Sequence, residues 1–491
     1  MSSTRVQPDL RTLLLRSHAG LLAAQAVLVP VSFLLASVSP FGLVQPEETA
    51  VFDGLGLAGA SRLAEAWLAR PAARGALFVA WLALATAPAL VALRALARRA
   101  SEADDALVRD LARWTRRHAL LPLLVLPMGA LDLWICLVWG RMVVAGGSPY
   151  YDLPTPAALK GIPLAPFDHF SPYGPLSTWI DAALAFVAGG SPVALFLLHK
   201  ASFAAAWLAT LALIDRALAA ASAERRAQAM LVFGWLPIGW LYWVGEGHND
   251  GFMIAPLVAW LVLLREGRHA LALPSLVASI AAKYATAPFL ALELWAAARM
   301  PRERRRGYAV AAALSLAAVA LLIAPLARDG SFLDPLLGQG SWKILTPSHA
   351  LKTLVLWTTG ANLRWKLADA LVAAPLLGGL LAAGLRFARG ARFDDAVRVV
   401  LLALLLATFV GMDRTWPWYL TWVLPVAALA ETGALVQAVV ALLAVAPLLS
   451  LLWLGTGWES GNAVAVATYL AWLPAFALVR RGGLVRPWTS G

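Results

Sequence analysis

Charged residues are scarce in this chain. Asp, Glu, Lys and Arg make up 14% of 491 positions, where a water-soluble domain carries about 25%. That shortage, with 60% hydrophobic residues and a mean hydropathy of +0.72, excludes a soluble fold. Cysteine is nearly absent as well. The single Cys136 cannot form an intrachain disulfide, and in its apolar stretch it reads as packing. No P-loop, dinucleotide fingerprint or fixed-period repeat occurs, so neither a nucleotide-binding domain nor a solenoid is indicated.

What the chain does have is apolar runs of roughly 17 to 25 residues, each enough to cross a hydrocarbon core of about 30 Å. They predict an all-α polytopic membrane protein of about 13 to 14 transmembrane helices. The helices are expected near 18–38, 75–97, 119–139, 192–214, 227–245, 250–265, 269–284, 285–298, 307–327, 366–388, 396–411, 417–431, 434–455 and 463–479. Several are shorter than a full span, which predicts tilted, broken or re-entrant pieces. The net charge of +12 is a topology signal, not a nucleic-acid footprint, because the arginines cluster in short loops: 94–117, 225–226, 299–306, 386–398 and 480–486. Placing those loops in the cytoplasm puts both termini there and turns the remaining loops outward. Met1 to Leu15 is read as the lead into a first anchor helix and not as a removed signal peptide.

The stretch 171–190 is apolar enough to span but contains Pro172, Pro175 and Asp181. Counting it as a span would move Arg216 to Arg226 outside, so it is expected to lie at the outer interface. Two outward loops are long, 140–191 and 328–364, and loops of that length are more often functional than decorative. A third outward segment, 39–74, is expected to be an accessory connection. Three units are expected: an N-terminal accessory hairpin with a basic loop (1–118), a core carrying the first long loop and the site (119–327), and a second outer loop with the C-terminal helices (328–491).

Polar groups at the outer ends of spans are costly against lipid and tolerated where they line a cavity. Five constellations stand there. Asp132 precedes Gly140-Arg141 and Gly147-Ser148-Pro149-Tyr150-Tyr151-Asp152. Its carboxylate is either a partly desolvated base, with its pKa raised by burial, or a helix-end group paired with Arg141. Pro172-Tyr173-Gly174-Pro175 is a rigid turn with an aromatic at headgroup level. Gly245 to Gly251 packs Glu246, His248, Asn249 and Asp250 between glycines, more polar density than a membrane turn needs. Lys283-Tyr284 supplies either a snorkelling lysine or, with Lys343, Lys352 and Arg414, cations for a phosphate. Asp413-Arg414-Thr415-Trp416-Pro417-Trp418-Tyr419 combines ring faces for stacking on sugar CH groups with charges that bind hydroxyls. A lone His248 at no recognised ligand spacing gives little reason to expect a metal.

In their order, these motifs resemble the GT-C superfamily of membrane glycosyltransferases that use polyprenyl-phosphate sugars, and most of all the bacterial polyprenol-phosphomannose-dependent mannosyltransferases. The resemblance rests on Asp132, Gly140-Arg141, Gly147 with Pro149 and Tyr150, Tyr173 with Pro175 and Leu176, His248-Asn249-Asp250, and Trp418-Tyr419, and it covers roughly 120–430. It implies a GT-C-like bundle with interfacial helices in long outward loops, in a bacterial cytoplasmic membrane, with its site facing the periplasm. It also implies transfer of a hexose, mannose being favoured, from a polyprenyl-phosphate donor to a glycan or lipid acceptor with inversion. Asp132 would be the base. Arg141, Glu246, His248, Asn249, Asp250, Lys283, Lys343 and Arg414 would bind donor phosphate and sugar, while Tyr150, Asp152, Tyr173, Trp416, Trp418 and Tyr419 complete the pocket. Membrane lipids are the other partners, and no cofactor, metal or nucleic acid is expected. The alternative is a transporter or lipid-linked-sugar flippase, which should place ionisable groups near the membrane midplane and often shows inverted repeats. Only Lys200 and a few others fall there.

Overall fold

A computed structural model describes residues 8–37, 68, 70–164, 166–337, 343–390, 392–412, 414–431, 433–452, 454 and 461–481. Among them the architecture is helical, and the one extended pairing is an isolated parallel bridge between Ile344 and Arg414. Seven helices are long and apolar enough to cross a membrane: Leu10–Ala36, Pro71–Arg98, Pro192–Ala217, Arg302–Ile323, Trp365–Gly390, Ala434–Leu452 and Gly461–Arg481. An eighth span is a bent pair, Ala223–Trp235 with Pro237–Glu246, broken by 47°. The chain is thus a multi-span membrane protein: of the about 13 to 14 transmembrane helices expected, seven or eight among the described residues are long and apolar enough to cross singly, and the others are short or broken, as expected of several.

The difference lies in segments that proline and glycine break. The stretch 119–139 is not one helix. It makes a 3-10 turn at Leu121–Leu124, continues without helix past Pro127 and Gly129, and starts a new helix, Asp132–Val144, at the aspartate itself. The stretch 269–298 divides into His269–Ala282, an extended Lys283, a 3-10 turn Tyr284–Phe289 containing Pro288, and a nine-residue helix Leu290–Ala298. The helix Asp250–Arg265 has 16 residues, about 24 Å at 1.5 Å per residue, short of the hydrocarbon thickness. The helix Pro175–Ala188 has 14, about 21 Å, and so does not cross by itself. The outward connection expected at 39–74 falls largely outside the described residues.

Non-helical backbone within a bundle of this kind must find internal hydrogen bonds. The segment 125–129 finds them in side chains from three distant places. Leu126 N–H donates to Ser32 Oγ (3.0 Å), and Met128 and Gly129 N–H both donate to Glu246 Oε2 (3.0 and 3.3 Å). Lys200, wholly buried, donates to the carbonyls of Val125 (2.9 Å), Val244 and Gly245. One ammonium and one carboxylate thereby tie the broken segment to the bent span beside it.

Two glycines set how closely the helices approach. A Cβ on Gly140 would overlap the Asp181 carbonyl, so the helices Asp132–Val144 and Pro175–Ala188 touch backbone to side chain-free backbone. A Cβ on Gly174 would overlap the Ala281 carbonyl. There Gly174 N–H and Ser177 Oγ both donate to the Ala282 carbonyl at 3.0 Å. The Pro172–Pro175 turn is therefore docked on the end of His269–Ala282, immediately before Lys283.

Candidate functional site

A cavity of about 800 Å³ opens beside Asp132. One wall comes from the Asp132 helix and the first long loop: Ile135, Trp139, Tyr150, Tyr151, His169 and Tyr173. Ser331, Asp334 and Pro335 of the second long loop contribute further lining, and Arg414, Trp416, Trp418 and Tyr419 come from the late aromatic segment.

Asp132 opens its helix, where a carboxylate is favoured by the exposed N–H groups of the first turn. Tyr173 Oη donates to its Oδ1 at 2.5 Å, and His248 Nδ1 stands 3.8 Å from the same oxygen. Its Oδ2 has no hydrogen-bond partner among the described residues. Burial pushes the Asp132 pKa up, but the neighbouring His248, the Tyr173 hydroxyl and the Lys283 ammonium outweigh it and hold the carboxyl at about 2. This reverses the expectation that burial would raise it, since the site supplies donors and cations that burial alone does not reveal.

Behind Asp132 lies a compact polar layer. The His248 ring stacks on Trp418 at 4.3 Å between centroids, and neither of its nitrogens has a hydrogen-bond partner among the described residues. Both side-chain polar atoms of buried Asn249 likewise have no partner among those residues. Asp250 Oδ1 accepts from Lys283 Nζ at 2.6 Å and from Trp422 Nε1 at 2.5 Å. The Lys283 ammonium also lies 5.0 to 5.2 Å from the rings of Tyr173, Tyr419 and Trp422, a cage that suits a desolvated cation.

The two long loops are fastened to each other at the rim. Arg328 forms a two-pronged pair with Asp152 (2.7 and 2.5 Å), and Asp152 also accepts from Ser148 N–H at 2.7 Å. Ser148 Oγ donates to the Leu326 carbonyl at 2.8 Å. Tyr150 packs on Phe332 with centroids 4.2 Å apart and donates its hydroxyl hydrogen toward the Tyr173 carbonyl at 2.9 Å. Because the clamp is solvent-exposed, Arg328→Ala should leave unfolding stability close to that of the parent. By letting the Ser331–Pro335 wall drift it should lower the rate of the sugar transfer that the resemblance implies about ten-fold. Parallel melting curves and initial rates test this; a rate equal to the parent's would mean that the clamp does not hold the wall.

Arg414 reaches the cavity from the second side. Its guanidinium lies 5.9 Å from the Trp416 ring and has no carboxylate at ion-pair distance among the described residues. Its backbone forms the bridge with Ile344, and Thr415 N–H donates to the Ile344 carbonyl at 3.2 Å. The next residue, Leu345, holds a left-handed φ of 59°, a strained conformation for a non-glycine residue that persists when its surroundings fix it. Leu345 is fully buried, its N–H donates to His349 Nδ1 (3.1 Å) and its carbonyl accepts from Tyr469 Oη (3.0 Å).

Of the residues singled out from the sequence, Asp132, Tyr150, Tyr173, Arg414, Trp416, Trp418 and Tyr419 meet around the cavity. His248, Asn249, Asp250 and Lys283 form the layer behind it. Four are placed elsewhere. Arg141 does not approach Asp132; its guanidinium donates to the carbonyls of Ala158, Lys160 and Gly190 (3.3, 2.6 and 3.2 Å). Glu246 caps backbone N–H groups, Lys343 pairs with Asp369 at 2.5 Å, and Asp152 is held in the rim clamp. Asp413 lies outside the described residues. Trp139, His169, Ser331 and Asp334 line the cavity without having been singled out. Trp139 adjoins Gly140, and Ser331 and Asp334 sit in the second long loop, but no local spacing marks any of them. Among the described residues no group of three or more His, Cys, Asp or Glu side chains is arranged to hold a metal ion.

Comparison with known proteins adds two findings. The family model described as "Alpha-(1->6)-mannopyranosyltransferase, N-terminal domain" matches residues 26–299. Among solved structures, the oligosaccharyltransferase of Archaeoglobus fulgidus in its apo form aligns with a TM-score of 0.40 and 12% identity, over 79% of this chain and 57% of that one. The chain therefore spans just over half the length of that structure. No curated protein matches the sequence.

Proposed function

This chain belongs to the alpha-(1->6)-mannopyranosyltransferase family, and we propose that it transfers mannose from a polyprenyl-phosphate donor to a glycan or lipid-anchored acceptor at the Asp132 cavity. The observation that supports the reading is a carboxylate, Asp132, and a guanidinium, Arg414, with no carboxylate at ion-pair distance from the latter among the described residues, lining one cavity walled by aromatic rings. An acceptor hydroxyl attacks C1 of the mannose and its proton passes to Asp132, through Oδ2, which has no other partner among the described residues. The C1–O bond to phosphate breaks and its electron pair leaves with the lipid phosphate, which needs charge stabilisation more than protonation. Inversion at C1 turns a beta-linked donor into an alpha product. In keeping with the basic loops, we place the cavity on the periplasmic face, with both termini in the cytoplasm.

The earlier pool of phosphate-binding cations narrows. Lys343 is paired with Asp369 and Lys283 with Asp250, whereas Arg414 lines the cavity with no carboxylate partner among the described residues. His248 and Asn249 have unpartnered polar atoms for sugar hydroxyls, and Trp139, Trp416 and Trp418 offer ring faces for the CH side of the sugar. Lys200, the mid-span charge that a transporter would use, is engaged by three backbone carbonyls.

Arg414→Gln should lower kcat/KM for the polyprenyl-phosphate donor about 10²-fold, as loss of one charged donor to a developing anion does. Arg414→Lys should restore part of it. Membranes incubated with labelled polyprenyl-phosphate mannose and chromatography of the lipid and glycan products provide the assay. A donor preference for a nucleotide sugar, or full activity in Arg414→Gln, would remove this reading of the cation.

A further inference from the structure

At the far end of the bundle from Asp132, a cleft of about 260 Å³ opens among the ends of the helices Asp250–Arg265, His269–Ala282, Arg302–Ile323 and Phe393–Leu406. Asp250 and Arg265 cap opposite ends of one helix of 16 residues, so about 24 Å separates this cleft from the mannosyl site. Three guanidiniums converge on it. Each is steadied by a backbone carbonyl: Arg265 by Ala217, Arg299 by Ala388 (2.7 Å) and Arg304 by Gly267 (3.1 Å). None of the three has a carboxylate at ion-pair distance among the described residues.

That sets them apart from other arginines at the same end. Arg216 pairs with Glu266 (2.7 Å), Arg226 with Asp215 (3.0 Å), Arg386 with Asp395 (3.2 Å) and Arg398 with Glu431 (2.7 Å). A basic loop that only orients the chain leaves its charges in water or paired, not gathered around a cleft. The other ionisable groups nearby do not neutralise the three. His269 lines the cleft, with Nδ1 3.6 Å from Glu293 Oε1. Buried Glu293 accepts from Trp260 Nε1 at 2.7 Å. Glu266 and Glu303 line a separate cleft that shares Arg304. Behind the charges the lining is apolar, with Leu264, Phe387 and Phe393, and the Arg265 guanidinium lies 5.1 Å from the Phe393 ring.

We propose that this cleft binds the phosphate of an anionic phospholipid from the leaflet on that side. Guanidinium forks match phosphate oxygens, and basic pockets between membrane helices are where acidic headgroups dock. The apolar lining accepts a glycerol backbone and the first methylenes, which a soluble phosphate lacks. Two helices that contribute to the cleft, Arg302–Ile323 and Trp365–Gly390, expose leucines along their length, among them Leu314, Leu321 and Leu381. A lipid seated in the cleft would have its acyl chains beside those faces.

The full chain in phosphatidylcholine nanodiscs, titrated with phosphatidylglycerol, tests this by two readouts: the melting temperature, and the lipid retained on the protein in native mass spectrometry. Phosphatidylglycerol should raise the melting temperature and stay bound. Arg299→Gln with Arg304→Gln should weaken retention about ten-fold, and Arg299→Lys with Arg304→Lys should recover part of it. The single Arg304→Gln, which removes one carbonyl contact only, makes the same comparison if the double variant does not fold. An equal shift from inorganic phosphate in pure phosphatidylcholine discs, or phosphatidylglycerol retention unchanged by these substitutions, overturns the proposal.

Discussion

Asp132→Asn is expected to lower mannosyl transfer by about 10² to 10⁴-fold, the range that a positioned general base contributes, with the melting temperature close to that of the parent. The amide keeps the shape of the carboxylate and can still accept from Tyr173 Oη, now at 2.5 Å, so the wall formed by the Pro172–Pro175 turn should persist. What is lost is the charge that receives the proton of the acceptor. The neighbouring charges do not replace it, because Lys283 and Asp250 already neutralise each other. The pH dependence adds a second check. The Asp132 carboxyl sits at about 2 in the fold, below an ordinary aspartate at about 3.9. Its depressed pKa therefore contributes stability that is complete above about pH 4 and is lost as pH falls toward 2. The base stays ionised through the neutral range, so any acid limb of the rate with a midpoint above about pH 4 belongs to another group. Asp132→Asn retaining more than a tenth of parental transfer, with product of the same linkage, would remove Asp132 from the role of base.

The class of fold was legible because periodicity was not needed for it: low charge and recurring apolar runs report a membrane solvent directly. Where the spans break was not. Hydropathy sees Pro122, Pro127 and Gly129 as small perturbations in an apolar stretch, whereas the backbone sees three places where a helix is hard to continue. Counting 119–139 as a span therefore put Asp132 near the end of a helix that the structure begins there. Motif order picked out residues that the fold brings together, since Asp132, Tyr173, Trp418 and Arg414 line one cavity. It did not distinguish residues that face the cavity from residues that hold it up. Glu246 and His248 are two positions apart in one glycine-rich loop, yet one caps the N–H groups of Met128 and Gly129 while the other stacks on Trp418 beside Asp132. Arg141 follows Gly140, the closest crossing point of two helices, but its own side chain turns toward a different cleft lined by Thr155, Lys160 and Gly190. Such choices depend on which carbonyls a fold leaves unpaired, and that is decided by contacts between segments far apart in sequence.

Lys200→Met is expected to destabilise the fold by about 3 kcal/mol or more and to abolish transfer with it. The substitution keeps most of the length of the side chain and removes the ammonium. Val125, Val244 and Gly245 then keep their carbonyls in a place that water does not reach, and each buried acceptor left without a donor costs about 1 to 3 kcal/mol. Glu246 also loses the cation nearest it on the Pro192–Ala217 helix. The damage should reach the site because both ends of the knot lead there: the segment 125–131 runs directly into Asp132, and the bent span ends at Glu246, two residues before His248. Melting of the parent and of Lys200→Met in the same nanodiscs measures the first effect, and the product assay measures the second. Combining Lys200→Met with Glu246→Gln should cost less than the two single losses added, since the carboxylate no longer stays buried without its cation. An unchanged melting temperature with altered substrate movement across sealed vesicles would instead make Lys200 part of a transport path.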